Sequence, residues 1–329
     1  MSDCNTGPAG SSCVYGPVPS WRLGRSLGID PIPLKTCTWN CVYCQLGRTR
    51  PVVCRRTSYV PTSVVAAALQ RFFEHHAKDD VDWLTFAGSG EPLLNTGIGT
   101  MIRNARELTG LPVAVITNGS LLYRPEIRKE VSAAQAVLPS LDAGTPDLYR
   151  RLNRPHPEVS FDRHVDGLVA FRQEYEGKLW VEVMLIARLN ETPQALQDIA
   201  AALRRIQPDE IHVNVPTRSP AEPWVEAPDH SRSMQAAAFF EEIAPVRTAE
   251  ATSGSFDLSG ADSVLDGVIG IITRHPMSQD ELEQTLTRWV PGHVPELLAK
   301  LADSGRARVV VRSGRRFWHR SSSYFPDEN

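Results

Sequence analysis

Three cysteines lie within one stretch of eight residues: Cys37, Cys41 and Cys44, in the pattern Cys-x-x-x-Cys-x-x-Cys. Thiolates this close together in a short loop can converge on a soft metal centre. A closed structural site has four protein ligands, whereas three ligands leave one metal position open for a substrate or cofactor. The spacing therefore predicts an open metal or iron–sulfur centre. A zinc knuckle and three incidental buried thiols are the alternatives that remain at this point.

The overall composition is that of an ordinary globular protein. Of 329 residues, 42% are hydrophobic and 22% charged, and the net charge of -3 gives no general attraction to nucleic acid or to anionic membranes. No apolar run approaches the length of a membrane span, and the N-terminus lacks the basic and apolar regions of a secretory signal. We therefore expect a cytoplasmic protein without membrane contact, in which clustered thiols stay reduced and bind metals.

Short apolar stretches alternate with helical stretches through most of the chain. The pattern predicts six strands, over 22–30, 81–87, 111–117, 136–141, 178–186 and 210–215. Strands separated by helices favour an α/β core with a parallel sheet and helices on its outside. We expect this core over residues 21–245, after an irregular segment at 1–20. Periodicity alone does not distinguish a barrel from a doubly wound sheet.

A second, smaller domain is predicted after a Ser- and Gly-rich linker at 246–263. The pattern there predicts three helices, at 265–275, from Ser278 onward and at 293–304, and then two short strands at 307–312 and 316–319. Ser278 to Glu281 reads as a capping box. Three helices and a β-hairpin are typical of a winged helix-turn-helix domain, here over 264–320 with a tail at 321–329.

Polar residues stand at or near the carboxyl ends of the predicted strands, where ligands collect in a parallel barrel. They are Gly88, Ser89, Gly90, Glu91, Asn118, Ser140, Asp142, Glu182, His212 and Asn214. Glu182 is a charge within an apolar strand, so it needs a hydroxyl or an arginine as a partner. For the others an ordinary βα turn or a helix N-cap is the alternative, above all at Asn118.

The cysteine spacing, with Tyr43 directly before the last cysteine, resembles the cluster loop of the radical S-adenosylmethionine (SAM) superfamily. Residues 16–20, 23–28 and 33–37 further resemble an uncharacterised branch of iron–sulfur oxidoreductases, similar to the tRNA wyosine-base synthase and the molybdenum-cofactor cyclase. The resemblance implies a partial (β/α)6 TIM-like barrel. It also implies a 4Fe–4S cluster on Cys37, Cys41 and Cys44 as the catalytic centre, with SAM on the fourth iron.

The same resemblance suggests roles for the polar residues. Gly88 to Glu91 matches the Gly-Gly-Glu motif that binds the SAM amino group, with Ser89 in place of one glycine. Ser140, Asp142 and Glu182 are then candidates for the ribose or the SAM carboxylate, Asn118 and Asn214 for the SAM side of the barrel, and Tyr43 for the adenine or for packing. Candidates to hold the SAM carboxylate or an anionic substrate are Arg22, Arg25, Lys35 and Arg154.

Two features leave more than one interpretation. Cys4, Cys13 and Cys54 could hold a second iron–sulfur cluster, as wyosine-type enzymes do with three further cysteines, or they could be bystanders. The hairpin of the second domain is rich in arginine (Arg306, Arg308, Arg312, Arg315, Arg316 and Arg320) and contains Phe317 and Trp318, so it could contact nucleic acid. A solvated hairpin or a peptide-docking module is the alternative.

The leading hypothesis is a radical SAM enzyme. It would cleave SAM reductively, form a 5′-deoxyadenosyl radical and modify an unknown substrate, such as RNA or a polypeptide. It would take its electron from a donor such as flavodoxin or ferredoxin. The alternative hypothesis is a DNA-binding regulator that senses redox state or SAM through the cluster.

Overall fold

The structure is a computed structural model. It describes residues 13–248, 256–258, 261, 263–312 and 314–326. In this part of the chain no helix is both long enough and apolar enough to cross a lipid bilayer.

The larger part of the chain forms one curled sheet of eight strands, a half-barrel in which neighbours in sequence are neighbours in the sheet. The first strand is antiparallel to the second, and all later pairs are parallel. The strands are β1 Val14–Ser20, β2 Gly24–Ile29, β3 Trp83–Phe86, β4 Val113–Thr117, β5 Ala136–Pro139, β6 Lys178–Met184, β7 Glu210–Asn214 and β8 Val246–Thr248. The predicted α/β class is confirmed, and the curled sheet decides for a partial barrel over a doubly wound sheet.

Seven helices cover the outside of the sheet. They are α1 Thr62–His75, α2 Ile98–Thr109, α3 Pro125–Val131, α4 Pro146–Leu152, α5 Phe161–Glu174, α6 Pro193–Ile206 and α7 His230–Glu241. Side chains such as Thr145, Ser160 and Thr192 accept hydrogen bonds from the first turns of their helices and so fix where those helices begin. The continuous apolar core between helices and strands holds the barrel rigidly, so that the loops at the strand ends can carry the site.

The inner face of the sheet is filled near the amino-terminal ends of the strands, here called the lower end of the half-barrel. Leu23, Ala114, Ala136, Leu138 and Trp180 form a small separate core there. Ala114 on β4 and Ala136 on β5 are small and leave room for the indole ring of Trp180. Because this end of the half-barrel is packed, we expect a ligand to enter at the other end, where the strands have their carboxyl termini.

The first and last strands of the large sheet were not predicted from the sequence. Val14–Ser20 forms β1 inside the segment predicted to be irregular, and Val246–Thr248 forms β8 inside the predicted linker. The glycine and prolines of β1 hid the strand, because such residues are depleted in strands. β1 nevertheless fits as an edge strand, where prolines are tolerated.

The C-terminal region contains α8 Val264–Ile272, β9 Met277–Ser278, α9 Gln279–Trp289, α10 Val294–Asp303, β10 Ala307–Arg312 and β11 Arg315–Arg320. Its three strands form a separate sheet in the order β10-β11-β9, and its apolar core is separate from that of the half-barrel. The capping box of Ser278 and Glu281 is confirmed. The classification as a winged helix-turn-helix domain stays a prediction.

This region is docked onto the half-barrel through polar contacts. Arg274, just after α8, forms an ion pair of 2.8 Å with Asp30, just after β2, and the two side chains are only 7% and 2% exposed. The guanidinium of Arg274 also lies over the ring of Tyr15. His319 bonds with Ser219 at 2.5 Å. The C-terminal region is therefore fixed against the side of the half-barrel next to the cysteine loop.

Candidate functional site

The cysteine loop is held by the segment that follows α4. Backbone hydrogen bonds join Asn40 to Asn153 (3.0 Å), Val42 to Leu152 (2.9 Å) and Thr38 to His156 (2.8 Å). Trp39 and Val42 are buried and pack into a local apolar core with Tyr149 and Leu152. The loop thus has apolar anchors between its cysteines, while the three thiols themselves are half-buried.

Each of the three sulfurs accepts a hydrogen bond from a different part of the fold. The Asn118 amide lies 3.6 Å from the sulfur of Cys37, the Asn153 amide 3.8 Å from that of Cys41, and the Lys35 ammonium 3.1 Å from that of Cys44. Such donors stabilise thiolates and tune iron–sulfur clusters. The donor set therefore fits a cluster held by these three cysteines.

Burial raises the pKa of the Cys37 thiol to about 12, so this thiol stays protonated unless a cation compensates for the thiolate. No three His, Cys, Asp or Glu side chains within the described ranges converge on a position for one metal ion. A single tetrahedral zinc would need its sulfurs about 3.8 Å apart, given bonds of about 2.3 Å. Cysteines that bind a 4Fe–4S cluster each take a different iron. A cluster therefore needs its three cysteine sulfurs farther apart than a single zinc ion does.

The turn from Gly88 to Glu91 is clasped against the segment that leads into the cysteine loop. The Ser89 hydroxyl donates to Asp30 at 2.6 Å, and the Lys35 amide donates to the Ser89 carbonyl at 2.6 Å. A side chain at Gly90 would collide with the Thr36 carbonyl, and one at Gly88 with the Asp30 carboxylate. Glycine is required at Gly90 because the two backbones touch there, and it fits at Gly88 because the buried Asp30 side chain fills the space that a Cβ would need. The turn and the cysteine loop consequently form one rigid unit.

The Glu91 carboxylate points into this unit and is almost completely buried. It accepts hydrogen bonds from the Thr117 hydroxyl (2.6 Å) and from the backbone amides of Asn118 (2.7 Å) and Leu93 (3.0 Å). Burial raises its pKa to about 7, while these donors favour the charged form. Glu91 therefore ties β3 to β4, and its position makes it a positioning residue for the turn and for Asn118.

A second buried carboxylate supports the last part of the cysteine loop. Asp142 accepts hydrogen bonds from the Tyr43 hydroxyl, the Asn153 amide (2.7 Å) and the Met184 backbone amide (2.9 Å). Burial raises the pKa of Asp142 to about 6. Tyr43 packs into the core around the loop, so its hydroxyl locks the loop to β5 and β6.

Glu182 has an arginine as its partner. It forms an ion pair with Arg22, from the turn between β1 and β2, and both side chains are 15% exposed. Since Glu182 alternates with Val181 and Val183, which pack against the outer helices, it lies on the inner face of the half-barrel. Ser140 bridges to Glu182 through its backbone, and Asn214 pairs with Met184 across β7 and β6. These residues bring the predicted polar strand ends to one inner surface.

Three other residues predicted from the sequence, His212, Arg25 and Arg154, contact side chains of the protein itself. The His212 ring is fully buried between Trp21 and Trp180, and burial lowers its pKa. Arg25 is wrong as a site residue: it is exposed at the start of β2, bonded to Asp82, at the end of the strand opposite to the cysteine loop. Arg154 pairs with Glu222 beside the loop.

A buried charge network next to the cysteines was not predicted from the sequence. Glu222 is only 2% exposed and lies between Arg154 and Arg48, which donates two hydrogen bonds to it at 2.8 and 2.6 Å. The two guanidinium groups hold the pKa of Glu222 below its usual range, although burial opposes them. No local pattern marks this network, because its members are far apart in the chain.

The remaining cysteines do not share surroundings. Cys54 is buried in the main core, with Tyr123 and Arg124 near its thiol, whereas Cys13 lies near Arg274 and Asp30. Cys4 lies outside the described residues. The second cluster is therefore not shown.

The basic hairpin is less exposed than its sequence indicates. Phe317 and Trp318 are buried at 3%, and the Trp318 indole donates to Gln279 at 2.6 Å. Arg306 pairs with Asp266, and Arg312 is buried with a hydrogen bond to the Pro326 carbonyl. The aromatic rings are therefore not available to stack on bases, which weakens the DNA-binding alternative.

Comparison with known proteins agrees with this site. Residues 32–203, just over half of the chain, match the Radical SAM superfamily. A UPF0026 protein of Synechocystis sp. is 39% identical over 206 residues, which are 62% of this chain and 76% of the relative. A UPF0026 protein of Methanocaldococcus jannaschii is 29% identical over 93% of this chain and 95% of the relative.

A protein of Brachyspira hyodysenteriae named GTPase Obg is 34% identical over 92% of this chain. The match spans only 44% of that relative's length. The present chain contains no G-x-x-x-x-G-K-[ST] phosphate-binding motif.

Solved structures show the same fold. The structure of TYW1 with a lysine-pyruvate adduct has a TM-score of 0.52 and 17% identity, covering 67% of this chain and 74% of that one. A radical SAM methyltransferase of Sphaerobacter thermophilus has a TM-score of 0.52 and 20% identity, covering 68% and 65%. With the sequence match, the half-barrel and the three-cysteine loop at its open end, the chain belongs to the radical SAM superfamily.

Proposed function

We propose that this protein is a radical SAM enzyme in which Cys37, Cys41 and Cys44 hold a 4Fe–4S cluster. With SAM bound, such a cluster supplies reductive cleavage to a 5′-deoxyadenosyl radical, which abstracts hydrogen from a substrate. The observation that carries the proposal is the set of three half-buried cysteines at the open end of the half-barrel, each with its own N–H donor.

The surrounding residues would bind and orient. Lys35, Asn118 and Asn153 offset the negative charge of the thiolates. The turn from Gly88 to Glu91 presents backbone at close range to a SAM amino group, and the inner surface around Glu182 faces the ribose or the substrate. The packed lower end of the half-barrel keeps water from a reactive intermediate.

The substrate and partners belong to the same proposal. The docked C-terminal region would recruit a substrate, with RNA and polypeptide as the two classes considered. Cleavage of SAM needs one electron, which a flavodoxin or a ferredoxin in the cytoplasm would supply. Of the arginines in the hairpin, Arg315 and Arg316 are exposed, so they are the natural phosphate contacts if the substrate is RNA.

The test is anaerobic reconstitution with iron and sulfide, followed by SAM and a strong reductant. We expect about four irons per chain and formation of 5′-deoxyadenosine. Cys41→Ala should abolish both, whereas the matched control Cys54→Ala should retain both. About eight irons would instead support the second cluster. If wild type with a full cluster forms no more 5′-deoxyadenosine than Cys41→Ala, the proposal is wrong.

A further inference from the structure

A cavity of about 570 Å³ lies between the cysteine loop and the C-terminal segment of the chain. It is lined by Leu34, Lys35, Arg48, Arg50, Ser322 and Tyr324. The volume is in the range of small-molecule sites. Because Lys35 both lines the cavity and donates to the sulfur of Cys44, the cavity adjoins the proposed cluster. It belongs to neither the Gly88–Glu91 turn nor the inner surface around Glu182.

The lining carries three positive charges and no carboxylate. Lys35 donates to the Gly47 carbonyl at 2.6 Å and to the sulfur of Cys44, so its charge is shared with that sulfur. Arg48 shares Glu222 with Arg154, so that trio keeps a net positive charge. Arg50 lies over the Tyr324 ring at 5.9 Å and forms no ion pair with any carboxylate in the described ranges. A cavity with this charge attracts an anion.

The walls are held in place before any ligand binds. The Arg48 amide donates to the Tyr324 carbonyl at 2.9 Å. Gly47 has a φ of +83°, and a side chain there would collide with the same carbonyl. Phe325 is buried against His319, which fixes the segment that carries Ser322 and Tyr324. A preformed site loses less entropy on binding than a mobile one.

We propose that this cavity binds a phosphate-bearing small molecule. A phosphate group offers three terminal oxygens and up to two charges, which suit two guanidinium groups, one ammonium group and a serine hydroxyl. A lone carboxylate is satisfied by one arginine. The volume exceeds that of a phosphate ion, and the half-exposed ring of Tyr324 offers a surface for the rest of the ligand. This binding does not depend on the proposed radical SAM function.

The test is isothermal titration calorimetry of inorganic pyrophosphate into the cluster-loaded full chain. Saturating SAM is present to fill its own site, and reductant is omitted so that no turnover occurs. The variant is Arg50→Gln, which removes one charge from the cavity wall. The matched control is Arg103→Gln, which removes one charge from the exposed face of α2. We expect saturable binding that Arg50→Gln weakens about tenfold to a hundredfold, as for loss of hydrogen bonds between charged groups.

Binding that Arg103→Gln leaves within about twofold would mark the cavity as the specific site. Absence of saturable pyrophosphate binding, or equal weakening by the two variants, overturns the proposal. Tighter binding of citrate with the same dependence on Arg50 also overturns it, in favour of a carboxylate ligand. Formation of 5′-deoxyadenosine by the wild type is measured separately, so a failure of the cavity and a failure of the radical SAM function give different results.

Discussion

The ion pair between Arg274 and Asp30 is the strongest single link between the C-terminal region and the site. Asp30 also accepts the Ser89 hydroxyl at 2.6 Å and the backbone amides of Ser89 and Ile32 at 3.3 Å. The Arg274 carbonyl accepts the Gln45 amide at 3.2 Å, one residue after the last cysteine. Arg274→Gln removes the charge beside Asp30 and therefore disturbs the Gly88–Glu91 turn, whereas the backbone contact with Gln45 is kept.

The magnitude follows from burial. Removing one partner of a buried ion pair costs about 3–5 kcal/mol, because the other charge is left without compensation. Asp30 retains three hydrogen-bond donors, so we expect the lower end, about 3 kcal/mol off the free energy of unfolding. Arg306→Gln breaks the pair with Asp266, whose side chains are 38% and 33% exposed, and should cost about 0–1 kcal/mol.

The assay is anaerobic urea unfolding of the cluster-loaded protein, with SAM affinity measured on the same samples. Arg274→Gln should weaken SAM binding because Ser89 loses its fixed partner, while Arg306→Gln should not. The double variant Asp30→Asn with Arg274→Gln should recover about 2 kcal/mol of the loss, since no charge is then buried alone. If Arg274→Gln costs no more than Arg306→Gln and leaves SAM affinity unchanged, the link has no role in the site.

Three further predictions concern single features. Burial lowers the pKa of His319 to about 3. Because histidine in the unfolded chain takes up a proton below about pH 6.5, the free energy of unfolding should fall by about 2 kcal/mol between pH 7 and pH 5. His319→Gln should flatten this measured pH dependence accordingly. Lys35→Met, but not Lys35→Arg, should make the reduction potential of the reconstituted cluster more negative in a redox titration, because the positive charge beside Cys44 is lost; an unchanged potential would count against the contact. Replacing Arg315 and Arg316 with glutamine should lower the salt slope of single-stranded RNA binding by about 1.4, and an unchanged slope would remove the hairpin from RNA binding.

Local spacing was enough to predict the central chemistry. Cys37 to Cys44 and Gly88 to Glu91 are contiguous, so their sequence nearly fixes their geometry. The half-barrel strands followed from apolar runs separated by helices, with β1 and β8 as the exceptions. The ends of strands were harder, because the direction of β2 decides that Arg25 lies opposite to the cysteine loop while Asp30 lies beside it.

Long-range pairing could not be predicted from one sequence. Glu222 is separated by 174 residues from Arg48, and Arg274 by 244 residues from Asp30. Each pair forms only because the fold excludes water from both partners at once. The same cause misled the interpretation of Phe317 and Trp318, since two adjacent strand residues normally face opposite sides. Here both sides are covered, and both rings are buried.

The contacts of the C-terminal region argue against a module that only tethers a substrate. Arg274 reaches the turn and the cysteine loop, and Tyr324 supplies its carbonyl to the backbone directly after that loop. A ligand that shifts either segment must therefore change the surroundings of Cys44, and cluster loading must in turn change the affinity for that ligand, because coupling between two binding sites is reciprocal. Pyrophosphate affinity should accordingly differ between cluster-loaded and cluster-free protein. Equal affinities in the two forms would show that the cavity and the cysteine loop are independent.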